Sequence, residues 1–166
     1  ENYFSILSDL MLGYLLPAFT RHAKRRIISH PKFYLFDTGI FQTLRPKGPA
    51  DSSDEIGGHA LENFVFQNLL SINDSLSLGY KFYYHRTVSG SEVDFIAYGN
   101  HGFYAFEVKH SSHFSPSQLN SLIAFGQEYP EAKLYLFYTG SQKFYMKNVT
   151  ILPISEALQH LSTLLG

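Results

Sequence analysis

Hydrophobic residues recur at three- and four-residue spacing in several parts of the chain, a pattern typical of amphipathic helices. The first such stretch runs up to Pro17, which ends it. A longer one is predicted to begin near Gly58 and to carry Glu62 along the flank of its apolar stripe. Helices are therefore predicted over residues 3–16 and 40–44, and onward from Gly58, Ser115 and Ser155.

Between these helices lie short aromatic and β-branched runs bounded by turn residues, as expected for strands. Residues 89–91 and 100–102 read as tight turns, so the strands that flank them form a meander. Residues 133–138 are apolar at nearly every position, which is typical of a strand buried on both faces. Strands are predicted over residues 32–36, 80–86, 92–98, 103–110, 133–138 and 149–152. The order of elements predicts an α/β fold with a mixed sheet.

Residues 45–58 are rich in Pro, Gly, Ser and Asp and show little periodicity, so a mobile loop is predicted there. One alternative is that residues 45–55 become ordered only with a partner or nucleic acid.

Composition narrows the class of protein. The 166 residues suffice for one domain with a short appended element, and 45% hydrophobic residues exclude a disordered chain. The absence of cysteine excludes a disulfide framework and fits a cytoplasmic location. No apolar run approaches the roughly 18–20 residues of a membrane span, so no membrane partner is expected. The first residue is Glu1 rather than Met, and we therefore expect a longer protein.

The net charge of −1 bears on nucleic-acid binding. Proteins that hold nucleic acid through its phosphates usually carry a basic excess or stripe. Basic residues cluster only over residues 21–26, which either contact DNA or form a solvated connection. The balance of charge predicts weak or assisted binding by this domain alone.

The segment Glu107-Val108-Lys109, taken with Asp94, suggests chemistry. Residues two apart in a strand share a face, so Glu107 and Lys109 should project together, and short turns keep Asp94 on the adjacent strand. Carboxylates are suitable ligands for Mg²⁺, which activates water and polarises a phosphoryl oxygen. Lys109 would orient that water and offset developing charge, and Glu62 would complete the site. The alternative is a structural salt bridge of Lys109 with Asp94 or Glu107.

Four segments, residues 58–69, 89–98, 103–111 and 115–125, resemble a known family. It is the domain of unknown function that follows the P-loop module in many bacterial and archaeal AAA-type ATPases, and it is assigned the PD-(D/E)XK restriction-endonuclease-like fold. Residues 31–40 resemble its opening strand and turn. The resemblance implies a mixed central sheet flanked by helices over residues 31–166, a helical connecting segment over residues 1–30, and an upstream ATPase. The chain itself contains no P-loop motif.

The resemblance also assigns roles. Asp94 corresponds to the metal-binding aspartate, Glu107 to the second carboxylate, Lys109 to the catalytic lysine and Glu62 to the acidic residue of the first core helix, with Mg²⁺ or Mn²⁺ as the metal. Gln118 lies where some relatives place a further polar residue. From the residues alone, His85 and Arg86 end a hairpin strand and are candidates for phosphate contacts; the alternative is an exposed strand end.

Two hypotheses follow. The first is a metal-dependent nuclease-like domain, an endonuclease acting on nucleic acid and most reasonably on DNA, coupled to the ATPase. The second is a catalytically silent module of the same fold that recognises a protein partner or regulates the ATPase. The intact quartet of Glu62, Asp94, Glu107 and Lys109 favours the first, and the near-neutral charge favours the second.

Overall fold

The computed structural model describes residues 3–44, 48 and 52–166, apart from the side chains of residues 53 and 54. A short 3₁₀-helix, Pro116–Leu119, precedes α4. The other elements are α1 (Tyr3–Asp9), β1 (Gly13–Leu16), β2 (Lys32–Leu35), α2 (Thr38–Leu44), α3 (Ser53–Ser75), β3 (Lys81–Arg86), β4 (Glu92–Gly99), β5 (Gly102–Lys109), α4 (Asn120–Glu128), β6 (Lys133–Tyr138), β7 (Phe144–Met146), β8 (Val149–Pro153), α5 (Ile154–Gln159) and α6 (Leu161–Leu165).

The main sheet has six strands in the order β3-β4-β5-β6-β8-β7. The first three form an antiparallel meander, β5, β6 and β8 are parallel, and β7 is antiparallel at the edge. The predicted mixed α/β sheet and its meander are therefore confirmed. Gly90, with φ of 91°, supplies the left-handed residue of the turn between β3 and β4. A separate pair of strands, β1 and β2, is antiparallel.

Helices cover both faces of the main sheet. On one face α3, α5 and α6 pack on the strands, and Phe66 of α3 stacks on Phe95 of β4 at 5.2 Å between ring centroids. On the other face α4 packs through Leu122 and Phe125. Residues 133–138 form the strand between β5 and β8, as their apolar pattern predicts.

The predicted helix over residues 3–16 is wrong in its second half. Helix α1 ends at Asp9, Met11 adopts a left-handed φ of 58°, and β1 pairs with β2 from Gly13 to Leu16. A Cβ atom at residue 13 would overlap the ring of Phe33, so glycine allows the two strands to approach. The apolar spacing fits a helix locally, but the pairing with β2 decides the structure.

Two further expectations need correction. Helix α3 begins at Ser53 rather than near Gly58, because Ser52 and Glu55 form a capping box in which each side chain accepts from the other residue's backbone N–H. Residues 45–47 and 49–51 of the predicted loop lie outside the described residues. Strand β7 was not predicted from the sequence; it pairs with β8 from Phe144 to Met146.

The N-terminal segment runs along the free edge of β3. Phe19 N–H donates to the Tyr84 carbonyl at 2.7 Å, and Tyr84 N–H donates to the carbonyl of Pro17 at 3.0 Å. Farther along, Ile28 N–H donates to the carbonyl of Arg86 at 2.9 Å. The side chain of Phe19 is buried between the main sheet and α4, in the same hydrophobic cluster as Leu122 and Phe125. The division into residues 1–30 and 31–166 stays a prediction.

Candidate active site

A β-bulge shapes the part of β4 that carries Asp94. Tyr83 pairs with Ile96 and His85 with Val93, so Asp94 and Phe95 together oppose Tyr84. Bulges of this kind turn a strand and redirect a side chain, and they are frequent beside active sites. The sequence predicts an ordinary strand position for Asp94, because no local residue pattern marks the extra residue.

The carboxylate of Asp94 is held by the neighbouring strand. The pairing of β4 with β5 extends to Phe95 opposite Phe106, and beyond it Val108 N–H donates to Asp94 Oδ2 at 2.8 Å. On its other side Val108 lies opposite Phe137 of β6. Where β4 and β5 separate, the Asp94 carboxylate thus takes the place of a backbone acceptor for Val108 N–H, and this hydrogen bond fixes the carboxylate between the two strands.

Glu107 and Lys109 share a face of β5, as their spacing predicts. Lys109 Nζ donates to Glu107 Oε1 at 2.6 Å. The side chain of Glu107 is buried, and its second oxygen, Oε2, has no hydrogen-bond partner among the described residues. A buried carboxylate oxygen without a partner is costly, because water is lost and nothing replaces it. The ion pair alone therefore leaves the carboxylate incompletely satisfied.

Glu62 on α3 interacts electrostatically with both carboxylates of the sheet. Burial and then the charge of Asp94 raise the pKa of Glu62 to about 7, against opposing effects of Lys32 and Lys109. Burial and then Asp94 raise the pKa of Glu107 to about 8. Burial likewise raises the pKa of Asp94, although both lysines and the Val108 N–H oppose the shift. We call Glu62, Asp94 and Glu107 the carboxylate cluster.

Lys32 of β2 is a member of the site that sequence reasoning missed. Its Nζ lies 2.5 Å from Glu92 Oε1, and Arg86 Nε lies 3.5 Å from Glu92 Oε2. Burial alone would lower the pKa of Lys32, but the charges of Asp94 and Glu92 raise it overall. Lys32 is distant in sequence from the quartet, and only the tertiary structure brings it there.

The three predicted nucleic-acid contacts have different surroundings in the structure. Gln118 accepts from Ser115 N–H at 2.8 Å, so it helps to cap the 3₁₀-helix. His85 is 3% exposed, packs edge-on against Phe125, and has a pKa lowered by burial. An exposed strand end is therefore wrong for His85. Arg86 is exposed and paired with Glu92. Contacts of these residues with nucleic acid stay predictions.

The basic stretch of residues 21–26 is tied to the α4 side of the molecule. Lys24 N–H donates to Glu128 Oε1 at 2.6 Å, and Arg25 Nε lies 3.9 Å from Glu128 Oε2. The guanidinium of Arg21 lies 5.0 Å from the centre of the Tyr98 ring. Part of this stretch therefore anchors the N-terminal segment.

Comparison with known families places the chain. Residues 57–157 match a family described as a domain of unknown function, DUF4143. The chain belongs to the DUF4143 family. Residues 1–51 match a second domain of unknown function, DUF8612. No curated protein matches the chain.

The DUF4143 segment carries Glu62, Asp94, Glu107 and Lys109, whereas Lys32 comes from the segment that matches DUF8612. Both segments therefore contribute charge to one site. Over the described ranges, no helix has the length and apolar character needed to cross a bilayer.

The DUF4143 site offers chemically suitable groups for a hard divalent cation. The carboxylate cluster supplies only oxygen donors, and Glu107 Oε2 is buried without a partner. Within the part of the chain that the structure describes, no three acidic or histidine side chains already converge as a ligand set. The donors of the carboxylate cluster fit Mg²⁺ or Mn²⁺ in chemical kind.

Proposed function

We propose that this DUF4143 domain is a metal-dependent nuclease-like domain that hydrolyses phosphodiester bonds of nucleic acid, and that it belongs to a larger AAA-type ATPase of the cytoplasm. The observation that carries the proposal is the carboxylate cluster beside Lys109: burial raises the pKa of all three acids, and the charge of Asp94 adds to the shifts of Glu62 and Glu107. Perturbed acids gathered beside a fixed cation are more common at functional sites than elsewhere. The bulged aspartate strand followed by Glu-x-Lys supports a PD-(D/E)XK fold.

Asp94, Glu107 and Glu62 would hold Mg²⁺ or Mn²⁺. When bound, such an ion supplies Lewis acidity toward a phosphoryl oxygen and lowers the pKa of water. The chain's own groups provide the orientation. Val108 N–H fixes one oxygen of Asp94, and Lys109 offers its ammonium protons to the attacking water and to the developing negative charge.

Protonation of Lys109 suits this role. Burial alone would lower the pKa of Lys109, but Glu107, through its charge and hydrogen bond, raises it overall. Lys109 therefore remains a cation over the pH range in which Glu107 loses its proton. Glu62 and Glu107 lose their protons as pH rises through 7 and 8, so the site becomes more negatively charged, whereas the Lys109 ammonium stays protonated.

A second function, a silent module for partner recognition or ATPase regulation, is favoured by one specific observation. Lys109 already pairs with Glu107 at 2.6 Å, which resembles a structural salt bridge. In this alternative the cluster stabilises the fold, and binding takes place elsewhere on the surface. Removal of a carboxylate would then change stability without any effect of metal.

The two functions are separated by calorimetric titration of Mn²⁺ and Mg²⁺ into the wild-type chain and Asp94→Asn. Asparagine keeps an acceptor for Val108 N–H but removes the charge, so folding should survive while cation binding is lost. The control is Asp9→Asn at an exposed position. Circular dichroism and urea unfolding establish that all three proteins fold alike.

Saturable binding by the wild type and the control, lost in Asp94→Asn, supports the metal site. Cleavage of nucleic acid by the wild type, lost in a Lys109→Met variant that still binds Mn²⁺, would then support hydrolysis. The nuclease proposal is abandoned if the wild type binds no divalent cation both with and without an oligonucleotide present. In that case the silent module becomes the better account.

A further inference from the structure

A cavity of about 280 Å³ adjoins the carboxylate cluster. Phe33, Tyr34 and Phe41 give it aromatic walls, and its polar lining comes from Lys32, His59, Glu62 and Asn63. Glu62 belongs to both the cavity and the cluster, so a ligand in the cavity would lie beside the acids. The volume is near the lower end of small-molecule sites, roughly 300–1,000 Å³, and suits one planar ring system rather than an extended chain.

Asn63, which lines this cavity, has a side-chain oxygen, Oδ1, without a hydrogen-bond partner among the described residues. The side chain is 2% exposed. Its Nδ2 makes only a long contact of 3.4 Å with Thr38 Oγ1. Buried amides are normally satisfied, so a ligand that hydrogen-bonded to this side chain would remove an energetic cost. An amide offers both a donor and an acceptor, which match the polar edge of a heteroaromatic ring.

The aromatic walls are held from outside the cavity. Phe33 packs against Phe4 at 4.9 Å between ring centroids, and Tyr34 packs against Phe66 and Phe95 at 5.0 and 5.6 Å. A binding surface supported in this way is preorganised, which lowers the entropic cost of taking up a ring. Aromatic side chains bind unstacked bases in this manner in many single-strand binding proteins.

We propose that this cavity binds the nucleobase of a nucleotide whose phosphate lies at the carboxylate cluster, an inference that rests on the proposed function. The base would lie among Phe33, Tyr34 and Phe41, and Asn63 would hydrogen-bond to its edge. Lys32, which lines the cavity and interacts electrostatically with Asp94, would offset the phosphate charge. A base can enter only when it is unstacked, so the substrate would be single-stranded or locally opened nucleic acid.

The test compares two labelled single strands of equal length and charge, one of mixed sequence and one fully abasic, by fluorescence anisotropy. The titrations are run in a chelator, so that they do not depend on a divalent cation. The wild type should bind the mixed sequence about ten-fold more tightly than the abasic strand, since stacking and the amide contact are lost in the latter. Asn63→Leu should lose most of this difference. Asn68→Leu, the same change on an outward part of α3, should keep it.

Equal or undetectable binding of the two strands by the wild type would overturn the inference without recourse to any variant. Competition with the four deoxynucleoside monophosphates identifies the source of the base. If they displace the labelled strand at concentrations similar to those at which the strand binds, the ligand is a free nucleotide. If they fail to displace it, the ligand is a nucleic-acid strand. Asp94→Asn should retain the preference for bases although it loses cation binding. A failed metal titration with a preserved preference would therefore count against the hydrolytic function and leave the base site standing.

Discussion

Replacement of Glu107 by glutamine is the sharpest test of the electrostatics of the site. The pKa of Glu107 is about 8 in the folded protein, against an ordinary value of 4.5. Between these two pH values the folded state holds a proton that the unfolded state has lost. Stability should therefore fall as pH rises through this window, and the loss is complete only above pH 8.

The size of the effect follows from the shift. Each pH unit within the window costs about 1.4 kcal/mol, so the interval from pH 6 to 8 should cost about 2–3 kcal/mol from Glu107. Glutamine carries no titrating proton but retains an acceptor for Lys109. The slope of unfolding free energy against pH should thus be shallower in Glu107→Gln by about 1 kcal/mol per pH unit, whatever constant offset the substitution adds.

The measurement is equilibrium urea unfolding at several pH values between 5 and 8.5, with linear extrapolation to water. Glu131→Gln, the same change at an exposed position, should give a curve parallel to that of the wild type. If Glu107→Gln is also parallel, Glu107 is ionised throughout the range. The Lys109 pair would then be an ordinary salt bridge, and the reasoning about an electrostatically strained cluster would be refuted.

Three other outcomes are expected. Mn²⁺ affinity should rise between pH 6 and 8 by up to about ten-fold per pH unit for each proton that the metal displaces from Glu62 and Glu107. Calorimetry in buffers of different ionisation enthalpy should count those protons. An affinity that does not change with pH would contradict this expectation. Asp94→Ala should be less stable than Asp94→Asn by about 1–3 kcal/mol in urea, since it leaves Val108 N–H buried without an acceptor, and equal stabilities would argue against that bond. Phe19→Ala should cost about 3–5 kcal/mol in the same assay, whereas Tyr3→Ala at an exposed ring should cost little; a small loss at Phe19 would mean that the segment is loosely attached.

Local signals explain which elements could be predicted. Alternating residues and turn glycines locate the meander to within a residue or two, because a short hairpin leaves few registers. The same logic fails at β1, where apolar spacing imitates a helix and only pairing with β2 resolves the ambiguity. The early start of α3 was predictable in principle, since Ser52 and Glu55 form a capping box recognisable from the sequence.

The residues of the candidate site also fall into those that the sequence predicts and those that depend on tertiary packing. Glu107 and Lys109 share a face because of strand geometry, which the sequence contains. The bulge at Asp94 and the approach of Lys32 to Glu92 arise from tertiary packing between distant segments, and no residue pattern announces them. His85 shows the reverse error: its place near a strand end suggested exposure, but the covering N-terminal segment and α4 bury it.

The edge of β3 has a consequence for how this protein evolves. Pro17 and Phe19 form backbone hydrogen bonds with that edge, and Lys32 interacts electrostatically with Asp94 and Glu92. All three come from the segment that matches DUF8612. A chimera that joined this DUF4143 segment to an unrelated N-terminal segment would have both an unpaired edge at β3 and an altered charge at the carboxylate cluster. The two segments are therefore expected to be inherited as one unit, with substitutions around Lys32 and Glu92 changing in concert.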